Sequence, residues 1–339
     1  MDPDRFKNAP PEEHVLVRED RLLAFATTCF ERAGASRKHA TVIARLLVDA
    51  DLRGVRSHGT RNTRGYALAM EQGQVNPLPD IRVVHRTATA VVVDGDGALG
   101  YWPMVRAAGL AVERAHDTGV GLGLVRHIGH YGSAGHYSRI CLEAGCVGFS
   151  VQGYRDEGKS RHVDPKPSVG FSGDPPLSFA IPGGAEPGVV LDMGASVFGH
   201  YQRPGYEDLL ERVPGAFFRS LGLIAVTTLL GGALTGSTGP EGDAIQARWP
   251  GAAMGGLVLA LDVGQMVDLD LFRAEADRYA RDLRTHYAPL PGTDGVRLPG
   301  SLEAERTARY RQEGIPYGPP EQEAARALSA QYGVELPWD

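Results

Sequence analysis

Residues 119–152 constrain the fold of this chain more than any other stretch. An apolar run at 120–126 (VGLGLVR) leads into a short loop at 127–132, a helical segment at 133–144 and a second apolar run at 146–152 (CVGFSVQ). Strands buried on both faces read as continuous apolar runs, and a helix between two of them predicts parallel neighbours in layered α/β packing. The loop joining the first strand to its helix then becomes the place to look for chemistry.

The flanking segments fit that layering. Helical spacing predicts helices at 17–33, 37–53, 62–72 and 101–117, the last closed by Gly119. In the second of these Val42, Ile43, Leu46, Leu47 and Ala50 recur at helical spacing, Ser36 is placed to cap the first turn, and Gly54 suits the left-handed residue that ends a helix. Two strands are expected within 80–94, others at 177–181, 189–193 and 254–262, and further helices at 221–234, 271–285 and 321–332. The first fifteen or so residues read as a Pro-rich arm, and 153–176 as a long polar loop of the lid or binding type.

Composition excludes several classes. A net charge of −6 leaves no footprint for nucleic acid or a membrane surface. The acidic N-terminus is no signal peptide, and no apolar run is read as reaching the ~18 residues of a membrane span, so a soluble, cytoplasmic protein is expected. Cys29, Cys141 and Cys146 show no paired spacing, which argues against structural zinc or a disulfide framework. The four lysines, Lys7, Lys38, Lys159 and Lys166, all sit in polar stretches, unlike the desolvated lysine of Schiff-base chemistry.

Two segments carry candidate chemistry. In 51–60 (DLRGVRSHGT), Ser57-His58-Gly59 sets an imidazole beside a hydroxyl on the shoulder of the second helix, where it can deliver a proton near neutral pH. The pattern also fits an ordinary loop histidine. In 127–135 (HIGHYGSAG), His130, Tyr131, Gly132 and Ser133 lie where a strand ends and a helix begins, so free backbone N–H groups can bind a carboxylate, a phosphate or an amide-bearing cofactor. Glycines that merely permit a tight turn fit equally. Gly121 and Gly123 lie inside the strand, so no dinucleotide fingerprint exists, and GGALTGST at 231–238 lacks the lysine of a phosphate loop. His162 and His200 have no partner at metal-ligand spacing, and 94–100 (DGDGALG) reads as a turn rather than a calcium loop; no metal is expected.

Taken in order, DLRGVRSHG at 51–59, GQVNP at 73–77, DGDGALG at 94–100, GHYGSAGHY at 129–137, PLSFAIP at 176–182, VLDMGAS at 190–196, LPG at 298–300 and GIP at 314–316 resemble the second-type malate/L-lactate dehydrogenase family. That family includes sulfolactate, ureidoglycolate and diketogulonate dehydrogenases and piperideine-carboxylate reductases. The resemblance implies a three-layer mixed-sheet α/β fold of the L-sulfolactate dehydrogenase-like type, a non-Rossmann site for NAD or NADP, and a homodimer acting on a small carboxylate substrate. It divides the chain into a helical substrate and dimerisation part at 15–118 plus 295–339, and an α/β cofactor part at 119–294. It makes His58 the proton donor beside Ser57, gives His130 acid–base work next to the cofactor, and lets Asp192 orient a histidine or a cofactor group.

Departures from the family pattern fall around the cofactor. Asn62 stands where an arginine is usual, with Arg61 one place earlier; both are expected at the substrate. A Gly-Thr-Asn-Pro turn becomes Gly173-Asp174-Pro175-Pro176, a His-Lys pair becomes Phe218-Arg219, and Pro299-Gly300 leads to Ser301 instead of glutamate. The segment before Phe218-Arg219 is shortened to 200–216. The expected function is hydride transfer between NAD(P)H and C2 of a 2-oxo acid or cyclic imino acid. The alternative is a relative that has left nicotinamide redox chemistry for non-redox acid–base work or ligand binding.

Overall fold

The computed structural model describes residues 8–154, 174–197, 205–289 and 295–339. Most of the 153–176 loop, with Lys159, His162, Lys166 and Gly173, lies outside the described residues, as do Lys7 and His200. The chain begins with β1 (Val15–Val17), α1 (Glu19–Arg32), α2 (Arg37–Leu52), α3 (Thr63–Glu71), β2 (Arg82–Arg86) and β3 (Ala90–Asp94). It continues through α4 (Tyr101–Thr118), β4 (Val120–Ile128), α5 (Gly135–Glu143), β5 (Cys146–Tyr154), β6 (Pro176–Ile181) and β7 (Val189–Gly194). Then follow α6 (Tyr206–Arg212), α7 (Pro214–Gly231), α8 (Pro240–Arg248), β8 (Met254–Asp262), α9 (Leu269–His286), α10 (Ser301–Glu313), β9 (Ile315–Tyr317) and α11 (Pro319–Tyr332).

Seven strands form one mixed sheet in the order β2-β3-β4-β8-β5-β6-β7. Only β3 and β4 pair in parallel; every other neighbouring pair is antiparallel. This corrects the expectation that β4 and β5 are parallel neighbours. They run in the same direction, but β8 lies between them, with Ala260 opposite both Gly121 and Gly148. A local β-α-β pattern cannot reveal a strand inserted from more than a hundred residues downstream.

Three layers result. On one face α4 and α5 bury Ala107, Ala111, Ala115, Tyr137 and Cys141 against Val125, Ile128 and Val258. The glycines of β4 serve this contact: a Cβ on Gly121 would lie 1.7 Å from the Ala111 carbonyl oxygen, so only glycine lets α4 approach so closely. On the other face Ile224 of α7 packs with Leu124, Val151, Leu177 and Leu257. A separate helical core joins the two ends of the chain, Leu22, Phe30, Ile43 and Leu47 packing with Tyr310, Tyr317 and Leu328. Burying side chains such as Ile43 and Leu47 contributes roughly 1.5–3 kcal/mol each. The sheet takes β2 and β3 from 15–118 and its other five strands from 119–294.

The expected helix signals are present. The Ser36 side chain accepts the His39 N–H at the start of α2, and Gly54 and Gly119 take left-handed φ of 73° and 83° just past α2 and α4. One reading needs correction: Pro214–Thr235 is long and apolar enough to cross a membrane. Phe217, Ser220, Ile224 and Thr227, at helical spacing, pack it on the sheet, while Phe218, Val226 and Leu229 face outward.

Candidate active site

Beyond α2 the chain turns sharply through Arg56–His58 and Thr60–Asn62, two single turns of 3₁₀ helix. Asp51, buried in the last turn of α2, holds this corner from below: one carboxylate oxygen accepts the Thr60 N–H at 2.9 Å and the Thr60 hydroxyl at 2.6 Å. The Asn62 side-chain amide closes it from above, donating to the carbonyls of Ser57 at 2.9 Å and Gly59 at 3.1 Å. Asn8 of the N-terminal arm accepts the Ser57 N–H, and Arg56 forms a buried ion pair with Glu321 of α11 at 2.5 Å. His58 thus rests on a corner tied to three other parts of the chain, with Ser57 Oγ 3.0 Å from its Nδ1.

The second corner follows β4. Gly129 donates its N–H to Ala98 and accepts from the Gln152 side chain at 3.0 Å; Gln152 in turn accepts the Tyr131 N–H, and Gly100 donates to the His130 carbonyl. His130 meets Tyr66 of α3, whose hydroxyl lies 2.7 Å from His130 Nδ1. The two imidazoles come together across the site, their ring centres 6.1 Å apart and their planes within 21° of parallel.

A cavity of about 390 Å³ opens in front of them, lined by Ser57, His58, His130, Ser133, Asp174 and Asp192 among others. Ser133 donates its hydroxyl to the Asp192 carboxylate, which fixes that carboxylate at the cavity wall. Asp174 lines the same cavity and accepts the Ser196 N–H at 2.8 Å. Burial lowers the pKa of His58, and the Asp192 charge opposes that shift. Burial pushes His130 down to about 4, reinforced by its neighbour His58. Burial thus favours the neutral form of both imidazoles, and the Asp192 charge counters it at His58.

The expected site residues divide into two groups. His58, His130, Ser57, Ser133, Asp174 and Asp192 converge. Tyr131 is fully buried behind the corner, and Gly132 supplies an N–H to His130 Nδ1 at 3.3 Å. Asn62 braces the His58 corner, and neither it nor Arg61 lines the cavity. Pro175 accepts the Ala195 N–H beside it. Phe218, 64% exposed, and Arg219 lie on the outer side of α7, away from the cavity wall. Pro299 accepts the Val190 N–H, and Gly300 lines a second cavity of about 420 Å³ with Arg53, Arg139 and Glu303. The two cavities meet β7 two residues apart, at Asp192 and Val190.

Sequence reasoning missed Tyr66, Gln152, Asp51, Arg53 and Arg139. Tyr66 lies within α3, where no local motif marks it. Arg53 donates to His136 Nδ1 at 2.7 Å, while its buried Nε has no partner among the described residues. His127, at the start of the same loop, is buried and paired with Asp94 at 2.9 Å.

Two histidines on two backbone corners thus face one small polar cavity. The chain belongs to the malate/L-lactate dehydrogenase family, whose pattern it matches over residues 17–202. It is 35% identical to the malate dehydrogenase of Pyrococcus horikoshii over 187 residues, 55% of this chain and 50% of that one. It therefore aligns with half the length of that relative. It is 26% identical to the L-sulfolactate dehydrogenase of Methanothermobacter thermautotrophicus over 334 residues, 90% of this chain and 91% of that one. The solved structure of the Pyrococcus horikoshii malate dehydrogenase superposes with a TM-score of 0.82 at 25% identity, covering 96% of this chain and 98% of that one. The mixed seven-stranded sheet is thus the fold of the malate and sulfolactate dehydrogenases.

Proposed function

We propose that this protein is a reductase that uses NADH or NADPH to reduce C2 of a small 2-oxo acid or cyclic imino acid, with His58 as proton donor. The observation that carries the reading is the pairing of two near-parallel imidazoles, 6.1 Å apart, on the wall of one cavity. A nicotinamide cofactor, when bound, would supply the hydride that C2 receives. His58, as imidazolium, keeps its Nδ1–H on Ser57 Oγ and gives the Nε2 proton to the carbonyl oxygen or imine nitrogen, leaving a hydroxyl or amine and a neutral imidazole. Asp192 favours that imidazolium electrostatically.

The cofactor's anionic part fits the second cavity. Arg53 and Arg139 line it, and two guanidinium groups suit the oxygens of a diphosphate. Arg53, Arg139 and the backbone around Gly300 would hold that end, consistent with the resemblance at Pro299-Gly300. A homodimer is supported by the outward apolar stripe Phe218, Val226 and Leu229 of α7.

A second reading, in which the chain has left nicotinamide chemistry, draws on Phe218 facing outward and on Ser301 in place of glutamate. Titration with NADH and NADPH, followed by thermal stabilisation, separates the two. A ligand at ~100 times its Kd raises stability by about 2.7 kcal/mol. Stabilisation by either dinucleotide, with oxidation of it by 2-oxo or cyclic imino acids, is expected. Absence of both effects favours the second reading.

A further inference from the structure

We propose that Tyr66 fixes His130 as the neutral tautomer carrying its hydrogen on Nε2, which makes His130 a hydrogen-bond donor to the substrate's oxygen or imine nitrogen and leaves proton transfer to His58. The donor role rests on the reductase reading above; the tautomer does not.

His130 Nδ1 receives two groups: the Gly132 N–H at 3.3 Å and the Tyr66 hydroxyl at 2.7 Å. A backbone amide can only donate, so the nitrogen facing it is an acceptor and carries no hydrogen. The ring hydrogen of a neutral imidazole then sits on Nε2. Tyr66 must likewise donate, and its own oxygen accepts from Tyr101, whose hydroxyl lies 3.3 Å away. Each phenol has one hydrogen, so the chain runs one way, from Tyr101 to Tyr66 to His130, and ends on the Nε2–H. Burial keeps both phenols protonated, pushing Tyr66 up to about 12 and Tyr101 well above the ordinary phenol value, so ionisation does not reverse the direction.

The surroundings explain why a fixed neutral ring is useful. His130 faces His58 from the Ser57-His58-Gly59 corner, Tyr66 from α3, and a cavity whose wall also holds Asp174 and Asp192. Two imidazoliums side by side repel, so a neutral His130 leaves His58 as the one ring that charges. Deleting the Tyr66 hydroxyl leaves only the longer Gly132 contact, and His130 becomes free to change tautomer or take up a proton in competition with His58.

Tyr66→Phe keeps the ring that lies nearly parallel to His130 and removes only the hydroxyl. Nitrogen-15 NMR of histidine-labelled free protein reads the tautomer directly. In the unaltered protein His130 should show a bare Nδ1 and a protonated Nε2 between about pH 5 and 8. In Tyr66→Phe the two tautomers should mix and the His130 titration should rise towards the ordinary imidazole range. kcat/KM should fall about tenfold, the weight of one such hydrogen bond, with a second ionisation entering the acid limb and cofactor affinity unchanged. Tyr101→Phe, which leaves Tyr66 in place, should give a smaller shift in the same direction. A protonated Nδ1 in the unaltered protein, or an unchanged tautomer in Tyr66→Phe, overturns the proposal. The predicted tautomer in a protein that reduces no 2-oxo or imino acid would remove the donor role through failure of the reductase reading, and leave the Tyr66 lock standing.

Discussion

The carboxylate of Asp51 fills the space that a Cβ on Gly59 would occupy: the added carbon would lie 1.7 Å from Asp51 Oδ1. The glycine of the Ser57-His58-Gly59 motif is therefore required by contact, since its φ of −86° suits any residue. The helix that carries Asp51 and the corner that carries His58 are locked face to face.

Gly59→Ala should accordingly push His58 off its corner. Overpacking a tight site costs about 1–3 kcal/mol, and a catalytic group misplaced by about 1 Å loses roughly a hundredfold in rate. Chemical denaturation and kcat/KM check the two effects. Wild-type kinetics in this variant would show that the corner tolerates the displacement.

Asp51 also makes a pH-dependent contribution. Burial raises its carboxyl to about 7, although both Thr60 hydrogen bonds favour the ionised form. A folded-state pKa above the unfolded one means the folded protein holds the proton more tightly. The associated stability is complete below about pH 4 and is lost as pH rises to about 7. A rise of that size corresponds to at most about 4 kcal/mol. In Asp51→Asn the site stays neutral, so urea stability measured across that window should lose this downward trend. An identical pH dependence in both proteins would place the Asp51 titration elsewhere.

His130 contributes with the opposite sign. Its pKa falls to about 4, so its stabilisation is present above about pH 6.5 and disappears as pH drops towards 4. Replacing His130 with Gln should flatten the acid side of the stability curve, as read by thermal melts between about pH 4 and 6.5.

His58→Ala should lower kcat by about a hundredfold to ten-thousandfold, the range of general acid catalysis, with dinucleotide affinity unaltered. Steady-state kinetics and a binding titration on the same sample test this. Normal turnover would end the proton-donor role.

The outward stripe of α7 predicts the assembly. Val226 is 54% and Leu229 60% exposed on a helix whose other side is anchored by Ile224 and Thr227. Val226→Asp with Leu229→Asp should convert a dimer to a monomer by light scattering while circular dichroism stays unchanged. A monomeric unaltered protein would sink the idea.

What was legible in the sequence was what local chemistry determines. Ser36 capping α2, Gly54 and Gly119 ending helices, and the strand–loop–helix corner at His130 all lie within one or two turns of their causes. α10 leaves little trace in the sequence because Tyr310 is its one buried residue, so Ser301–Glu313 carries almost no apolar period. The pairings of β1 with β9, of Tyr66 with His130, and of Arg53 with His136 join distant residues, which no window of sequence displays. The six residues that converge on the cavity are reached by motif, whereas Tyr66 and Gln152, which hold the His130 corner, are not.

The position of β8 bears on how the molecule is made. Until residue 262 is in place, β4 and β5 each present an open edge to solvent, because the strand that joins them is still to come. A chain emerging from the ribosome must keep these two apolar edges apart from other chains until the joining strand arrives. Assembly of the sheet is then late and slow relative to its helices. Truncation before β8 should yield two unpaired halves and aggregation, not a smaller version of the fold.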